Sequence, residues 1–550
     1  MGEDKSTEVS IEFDVPARMR DGVTLRANVY RPETGGPWPT LLTRLPYGKD
    51  LPPVVSILDP VQTARRGFMV VIQDTRGRFA SDGEWKPFAY EREDGYDSVE
   101  WAAGLPGSNG RVGMYGESYL GSTQWMAAIE RPPSLAAIAP ALTWSNPLDG
   151  LFARGGALEL GLMVPWSIET GFDYVTRMDI SAAERGRRIE AMVEDYDALS
   201  KGLYLETFAG DDPVRQRHGV PPMPSLAAVE SPEIAASCVV EGAQERVEVP
   251  TLHIGGWYDI FLGGTLVNYT AMAAAGRETR LVVGPWTHVR WSDPFGDLTL
   301  GLRASRFGFP AHPEGDTADV QRAFFRRHLS SSTPTVESDA PVRIFVMGRN
   351  RWQDEPSWPP PDVVEQRWFL QTGGGLAPEQ PKGDGESSFV YDSDDPVPTV
   401  GGNTVMPPGF PSGPFDQSSI ERREDVLVFT SDPLSVEMEV TGEVILVLHA
   451  DSSAPSTDWV GRLCDVHPNG TSINLCDGIL RVDGAGASGR YVLDLWATSN
   501  VFLPGHRLRV HITGGSFPRW DRNPGGTSRR VHHGGDRSSY VSLPVRRLPD

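Results

Sequence analysis

Residues 111–121, Arg-Val-Gly-Met-Tyr-Gly-Glu-Ser-Tyr-Leu-Gly, restrict the fold of this chain more than any other segment. Val112, Met114 and Tyr115 make an apolar run suited to a buried strand, and the run stops at Gly116. Ser118 comes next but one, and Thr123, Trp125, Met126, Ala127, Ala128 and Ile129 then read as a helix. A strand that turns at once into a helix leaves little room beside the turn, and Gly116 and Gly121 provide the small residues such a turn needs. The product is a hydroxyl at the end of a buried strand, above a helix N-terminus whose N–H groups face it. A Gly-x-Ser turn with no chemistry attached is the alternative, and the segment alone does not separate the two.

The 550 residues exceed what one hydrophobic core organises, so several domains are expected. Thr40–Thr43, Phe68–Ile72 and Leu135–Pro140 are short apolar runs typical of buried parallel strands, and Glu93–Ala103 between them reads as a helix. From 145 to 240 the signals become helical, and Ile189, Met192, Val193 and Tyr196 give Ala182–Leu199 the spacing of an amphipathic helix. Strands resume at Val249–Ile254 and Arg280–Val283. An insertion between parallel strands lies at their carboxyl ends, where ligands bind, so this one is expected to cap the elbow. Beyond 350, alternation at Val436, Met438 and Val440 and at Leu508, Val510 and Ile512 predicts half-buried antiparallel strands, with loops around 372–388. The expected class is α/β, with an α/β domain in two parts (1–144 and 241–350), a helical cap (145–240) and a C-terminal all-β domain (351–550).

A formal net charge of −22 repels phosphate backbones and argues against nucleic acid as a partner. No apolar run approaches the roughly 20 residues that cross a bilayer, so no membrane partner is expected. The N-terminal Met-Gly-Glu-Asp-Lys-Ser lacks the order of a signal peptide, and its match to the loose myristoylation pattern is discounted for want of basic residues. The expected location is cytoplasmic. Cys238, Cys464 and Cys476 show no zinc spacing with histidine. Cys464 and Cys476 flank the turn-like His467–Gly470 and could meet across two strands, depending on register; reduced, buried thiols are the preferred reading. No metal or cofactor is called for. A homodimer is compatible with the sequence but not required by it.

A serine hydroxyl becomes a nucleophile at neutral pH when a neutral imidazole takes its proton, and the resulting imidazolium needs a carboxylate. In α/β-hydrolases the chain order is Ser, acid, His, each on a loop after a strand. Two loops qualify. Leu252–Ile254 runs into Gly255-Gly256-Trp257-Tyr258-Asp259, and Leu281–Val283 runs into Gly284-Pro285-Trp286-Thr287-His288. Ser118, Asp259 and His288 are thus the expected catalytic set. His253 lies within a strand and reads as a core residue; His218 lies in the cap; Asp74 and Asp82 precede Ser118 and break the order. Negative charge on the reacting carbonyl needs donors. The Tyr119 backbone N–H is one, and the loop Arg44-Leu45-Pro46-Tyr47-Gly48 offers either a backbone N–H or the Tyr47 phenol, Pro46 having none.

These motifs resemble the family of bacterial cocaine esterase, Xaa-Pro dipeptidyl-peptidases and α-amino-acid ester hydrolases. The resemblance spans nearly the whole chain. It rests on Pro46-Tyr47, Asp74-Thr75-Arg76-Gly77-Arg78 with Ser81-Asp82-Gly83, Gly116-Glu117-Ser118-Tyr119-Leu120-Gly121, Gly256-Trp257-Tyr258-Asp259 and Gly284-Pro285-Trp286-Thr287-His288. It implies an α/β-hydrolase domain with an inserted helical cap and a C-terminal jelly roll, and it implies that the Tyr47 hydroxyl serves the oxyanion. The shifted glycine at 121 is then a family mark. Arg76 and Arg78 read as anchors of their loop through salt bridges. By the same resemblance Trp166, Phe261 and Leu151 are expected in an acyl pocket, with Leu151 standing where cocaine esterase has an aromatic residue. The first reading is a serine carboxylesterase for small, largely apolar esters. The others are a peptidase or amino-ester hydrolase that holds an amine through Glu117, Glu169 or Asp173, an acyltransferase, and a binder without catalysis. The jelly roll is read as one wall of the site rather than as a carbohydrate module.

Overall fold

The computed structural model describes residues 8–51, 58–206, 217–218, 236–309, 311–330, 340–484, 488–524 and 526–546. The N-terminal hexapeptide and much of the cap's second half lie outside these. In the first sheet the strands are β1 (Val9–Arg18), β2 (Thr24–Pro32), β3 (Trp38–Leu45), β4 (Met69–Asp74), β5 (Ser108–Glu117) and β6 (Leu135–Ala141). Two short strands of the cap follow, β7 (Ala153–Arg154) and β8 (Ala157–Leu158), and then β9 (Thr251–Tyr258), β10 (Thr279–Thr287), β11 (Val342–Val346) and β12 (Arg351–Glu355). The sheet order is β1-β2-β4-β3-β5-β6-β9-β10-β11-β12. Neighbours from β4 to β11 run parallel, and the two ends are antiparallel. This is the α/β-hydrolase domain. Strands β4 and β9 are buried along their whole length, as expected of runs sandwiched between helices.

The insertion carries helices Leu160–Arg177 and Ala182–Leu199. The second begins where Ser181 accepts a hydrogen bond from the Glu184 N–H, an N-cap that fixes the entry of the chain. The insertion is not purely helical, because β7 and β8 form a small hairpin. Nor does the α/β sheet end at 350: β12 pairs antiparallel with β11 and closes that edge. Its sequence, Arg-Trp-Gln-Asp-Glu, lacks an apolar period and so gave no strand signal.

The C-terminal domain is all β. Its long strand Met438–Ser452 pairs with Ser488–Phe502, Thr527–His533 and Tyr540–Arg546, and Leu446, Leu463, Leu493, Val510 and Val541 fill its core. The segment 372–388 is not only loop, since Gly375–Ala377 and Gly385–Tyr391 are strands. Val436 is exposed ahead of its strand, and His511, which alternates with Val510 and Ile512 on the opposite face of its strand, is buried against Glu421. The three cysteines are buried thiols and form no disulfide. A register shift between Leu463 and Cys464 sets Cys476 opposite Leu463 and Cys464 opposite Asn474, so the thiols do not face each other. Among the described residues no helix is long and apolar enough to cross a membrane.

Candidate active site

Ser118, Asp259 and His288 each stand one residue beyond a parallel strand, β5, β9 and β10 respectively. That placement gathers them at one edge of the sheet although Ser118 and His288 are remote in sequence. Ser118 adopts φ 59° and ψ −124°, a left-handed conformation that a side-chain-bearing residue takes only under constraint. The constraint is visible. Its N–H donates to the Ala141 and Leu142 carbonyls at 3.0 and 3.1 Å, and its carbonyl accepts from the Thr143 hydroxyl at 2.9 Å. Gly116 has φ 135°, and a Cβ there would lie 2.5 Å from the Leu120 Cβ. A Cβ on Gly121 would lie 2.6 Å from that of Thr143. The glycine therefore belongs at 121, against Thr143 just beyond β6, while Leu120 lines the cavity.

His288 Nδ1 lies 2.7 Å from Asp259 Oδ1, and the other Asp259 oxygen accepts from the Phe261 N–H at 2.9 Å. Asp259 is fully buried. Asn403 of the C-terminal domain donates to the Asp259 and Trp257 carbonyls and fixes the loop from the other side. Burial acts to lower the His288 pKa, but the charge and hydrogen bond of Asp259 outweigh it, and the net pKa is raised. Phe261 closes edge-on over the imidazole with ring centroids 5.2 Å apart. It therefore orients the histidine as well as facing the cavity. His253 is a core residue between Trp125 and Tyr269, and burial lowers its pKa to about 3. His218 pairs with Asp195 of the cap.

Ser118 and His288 open onto a cavity of about 490 Å³. Tyr47, Tyr119, Trp166, Phe261 and Leu151 line it too, so the residues read as part of the site meet there, with Asp259 buried behind His288. The Tyr119 phenol is pinned away from the reaction. It donates to buried Glu91 at 2.9 Å, and Glu91 is in turn held by Arg44 at 2.8 Å. What Tyr119 offers is its backbone N–H, which at the first helical position has no acceptor within the helix. Burial drives the Tyr47 pKa far up, keeping it a neutral phenol able to donate. Val405, Met406 and Pro407 of the C-terminal domain form part of the cavity wall.

The contacts of two arginines carry no local sequence signal. Arg78 was read as a salt-bridge anchor, yet it chiefly binds carbonyls. It donates to Pro46 at 2.7 Å, directly before Tyr47, and to Thr170 of the cap helix at 2.9 Å, with Asp173 3.5 Å away. It thereby fixes the tyrosine loop and the cap to each other. Arg76 is the salt-bridge anchor, to Asp94 and Asp21. Arg306 holds Glu117, the residue before the serine, at 2.6 Å. Of the three carboxylates considered for an amine, Glu117 and Asp173 thus face arginines. Glu169 accepts from the Tyr196 hydroxyl at 2.8 Å, and burial raises its pKa.

The model of the X-Pro dipeptidyl-peptidases (S15 family) matches residues 21–290, and that of the X-Pro dipeptidyl-peptidase C-terminal non-catalytic domain matches 334–542. The chain is 34% identical over 583 residues to cocaine esterase of Rhodococcus sp. (strain MB1 Bresler), covering 98% of each. An aminopeptidase from a marine sediment Thaumarchaeota archaeon superposes with a TM-score of 0.82 at 22% identity, over 100% of this chain and 98% of that one. An α-amino acid ester hydrolase does so with 0.78 at 24% identity, over 99% and 98%. The last two show a shared fold.

Proposed function

The chain belongs to the family of serine hydrolases that includes cocaine esterase and the X-Pro dipeptidyl-peptidases, and we propose that it is a carboxylesterase for small, largely apolar esters. The observation that carries this reading is a strained Ser118 and an Asp259-backed His288 opening onto a cavity whose neighbouring walls are Leu120, Leu151, Leu162, Pro165, Trp166 and Phe261. Ser118 Oγ attacks the ester carbonyl while His288 Nε2 takes its proton. Asp259 holds Nδ1–H and balances the imidazolium. The tetrahedral oxyanion accepts from the Tyr119 N–H and the Tyr47 hydroxyl. Its collapse expels the alcohol, protonated by His288, and leaves an acyl-enzyme. Water, deprotonated by His288, then releases the acid.

The pairing of Glu117 and Asp173 with arginines supports this reading over the amine-holding one. Two of the three candidate carboxylates are already committed to arginines, and the third, Glu169, accepts from the Tyr196 hydroxyl. The test is steady-state hydrolysis of p-nitrophenyl acyl esters beside Xaa-Pro-p-nitroanilides and amino-acid esters. Ester kcat/KM at least about 100-fold above the anilides is expected, a gap of about 2.7 kcal/mol in transition-state binding. Faster release of the dipeptide would replace the proposal with the peptidase reading. Acyl transfer is scored in the same assays by adding an alcohol acceptor and measuring the ester formed.

Tyr47→Phe removes one oxyanion donor while keeping the ring. The expected result is a fall in kcat of roughly 100- to 1000-fold with KM little changed, because the donor acts on charge that exists only in the transition state. An unchanged kcat would remove the phenol from the mechanism.

A further inference from the structure

Asp465, His467 and His506 bring one potential ligand atom each within 4.8 Å of one another, at the turn end of the C-terminal domain and apart from the residues that line the catalytic cavity. We propose that these three residues form a binding site for a zinc-class divalent metal ion that ties two loops of this domain together. The ligands come from two loops distant in the chain, so they leave no compact spacing in the sequence. Asp465 is the last residue but one of the strand Ser456–Val466, and His467 begins the turn after it. His506 sits in the connection between strands Ser488–Phe502 and Arg507–Thr513.

The backbone of each loop is fixed. The His467 N–H donates to the Thr471 carbonyl, the His506 N–H to the Leu503 carbonyl, and the Leu434 N–H to the His506 carbonyl. The side chains converge from these rigid turns. His506 Nδ1 is 2.7 Å from Asp465 Oδ1, and the His467 and His506 rings lie 4.6 Å apart, tilted by 41°. Asn500 reaches the second Asp465 oxygen at 3.4 Å, the kind of outer contact that orients a ligating carboxylate. Among the described residues no side-chain hydrogen bond engages the His467 nitrogens, so they are available to a ligand.

The donor set names the metal class. Two imidazoles and one carboxylate suit zinc or a similar transition ion and are poor for calcium or magnesium, which prefer oxygen. Metal–ligand distances of about 2.0–2.2 Å place tetrahedral ligands about 3.4 Å apart, so a bound ion would replace the proton between His506 Nδ1 and Asp465 Oδ1 and widen their 2.7 Å separation, while the half-buried His467 ring turns inward and a fourth position is left for water. The strand carrying Asn500 also meets the α/β domain, where the Met347 N–H donates to the Ser499 carbonyl and the Val501 N–H to the Met347 carbonyl. A metal here would therefore brace the seam between the domains.

The experiment is zinc titration of the full chain after chelator treatment and its removal, read by calorimetry and by thermal unfolding. One equivalent bound with micromolar or tighter affinity and a rise in Tm are expected. His467→Gln and His506→Gln should each weaken binding at least tenfold, with the metal-free Tm of His467→Gln close to that of the parent chain. His449→Gln, a histidine outside the cluster, should leave binding unchanged. Absence of a saturable equivalent, or undiminished binding by His467→Gln, would overturn the site. Should His506→Gln fail to fold because it also loses the Asp465 contact, His467→Gln carries the test alone.

Discussion

Ser118→Ala is expected to lower kcat/KM on p-nitrophenyl esters by roughly 10⁴- to 10⁶-fold while leaving the fold intact. The loss is that of the nucleophile itself, and the other members of the constellation cannot replace it. The fold should survive because the contacts that hold residue 118 are backbone ones: its N–H to Ala141 and Leu142, its carbonyl to Thr143, Gly121 and Ser122. Alanine keeps the Cβ, so the left-handed strain at φ 59° is the same in both proteins. Thermal unfolding and active-site labelling with a fluorophosphonate check the two halves of the prediction. An unchanged Tm with loss of both turnover and labelling is the expected pair. Turnover retained within tenfold would mean that the elbow is a structural turn only.

That Ser118 could be read from sequence has a local cause. A strand passing directly into a helix admits side chains at few positions, and the Gly116 and Gly121 contacts show which ones it forbids. Asp259 and His288 were legible for a related reason. Each follows a buried strand at the sheet's carboxyl edge, so strand recognition alone gave their location. The helix Ala182–Leu199 was legible from its apolar spacing, although Val193 of that set is exposed and Met192 carries the buried face. Signals of this kind live within a few residues.

What was not legible depends on partners far along the chain. Arg306 is one arginine among many until folding sets it on Glu117, and the bond of Arg78 to the Pro46 carbonyl exists only once two loops meet. Phe261 was placed in the pocket, but its packing on His288 needed the geometry of two strands. At β12 the failure was of another sort. A polar edge strand with one covered neighbour has no apolar period to detect, and its pairing with β11 supplies the order instead. The same applies to His511: its polar type suggested solvent, while burial against Glu421 satisfies it inside the domain.

Asp259→Asn should cost about 10⁴-fold in kcat and also move the pH profile, a pairing that separates an orienting carboxylate from a merely structural one. Asp259 accepts two hydrogen bonds, from His288 and from the Phe261 N–H. Asparagine has one acceptor oxygen. With that oxygen on the Phe261 N–H, its amide N–H faces His288 Nδ1 and selects the tautomer whose proton sits on Nε2, so the nitrogen meant to take the Ser118 proton is already occupied. The sign of the pH effect follows from the largest opposing influences on His288. Burial lowers its pKa and Asp259 raises it, with Asp259 prevailing in the parent chain. A general base works only when neutral, so parent kcat/KM rises with pH through the elevated His288 pKa. Removing the Asp259 charge leaves burial opposed chiefly by the weaker pull of Glu117, and the acid limb of the residual activity should shift to lower pH. Profiles measured between about pH 5 and 9, where a histidine near its ordinary value titrates, would resolve this. A loss under tenfold with an unmoved acid limb would show that Asp259 does not govern His288.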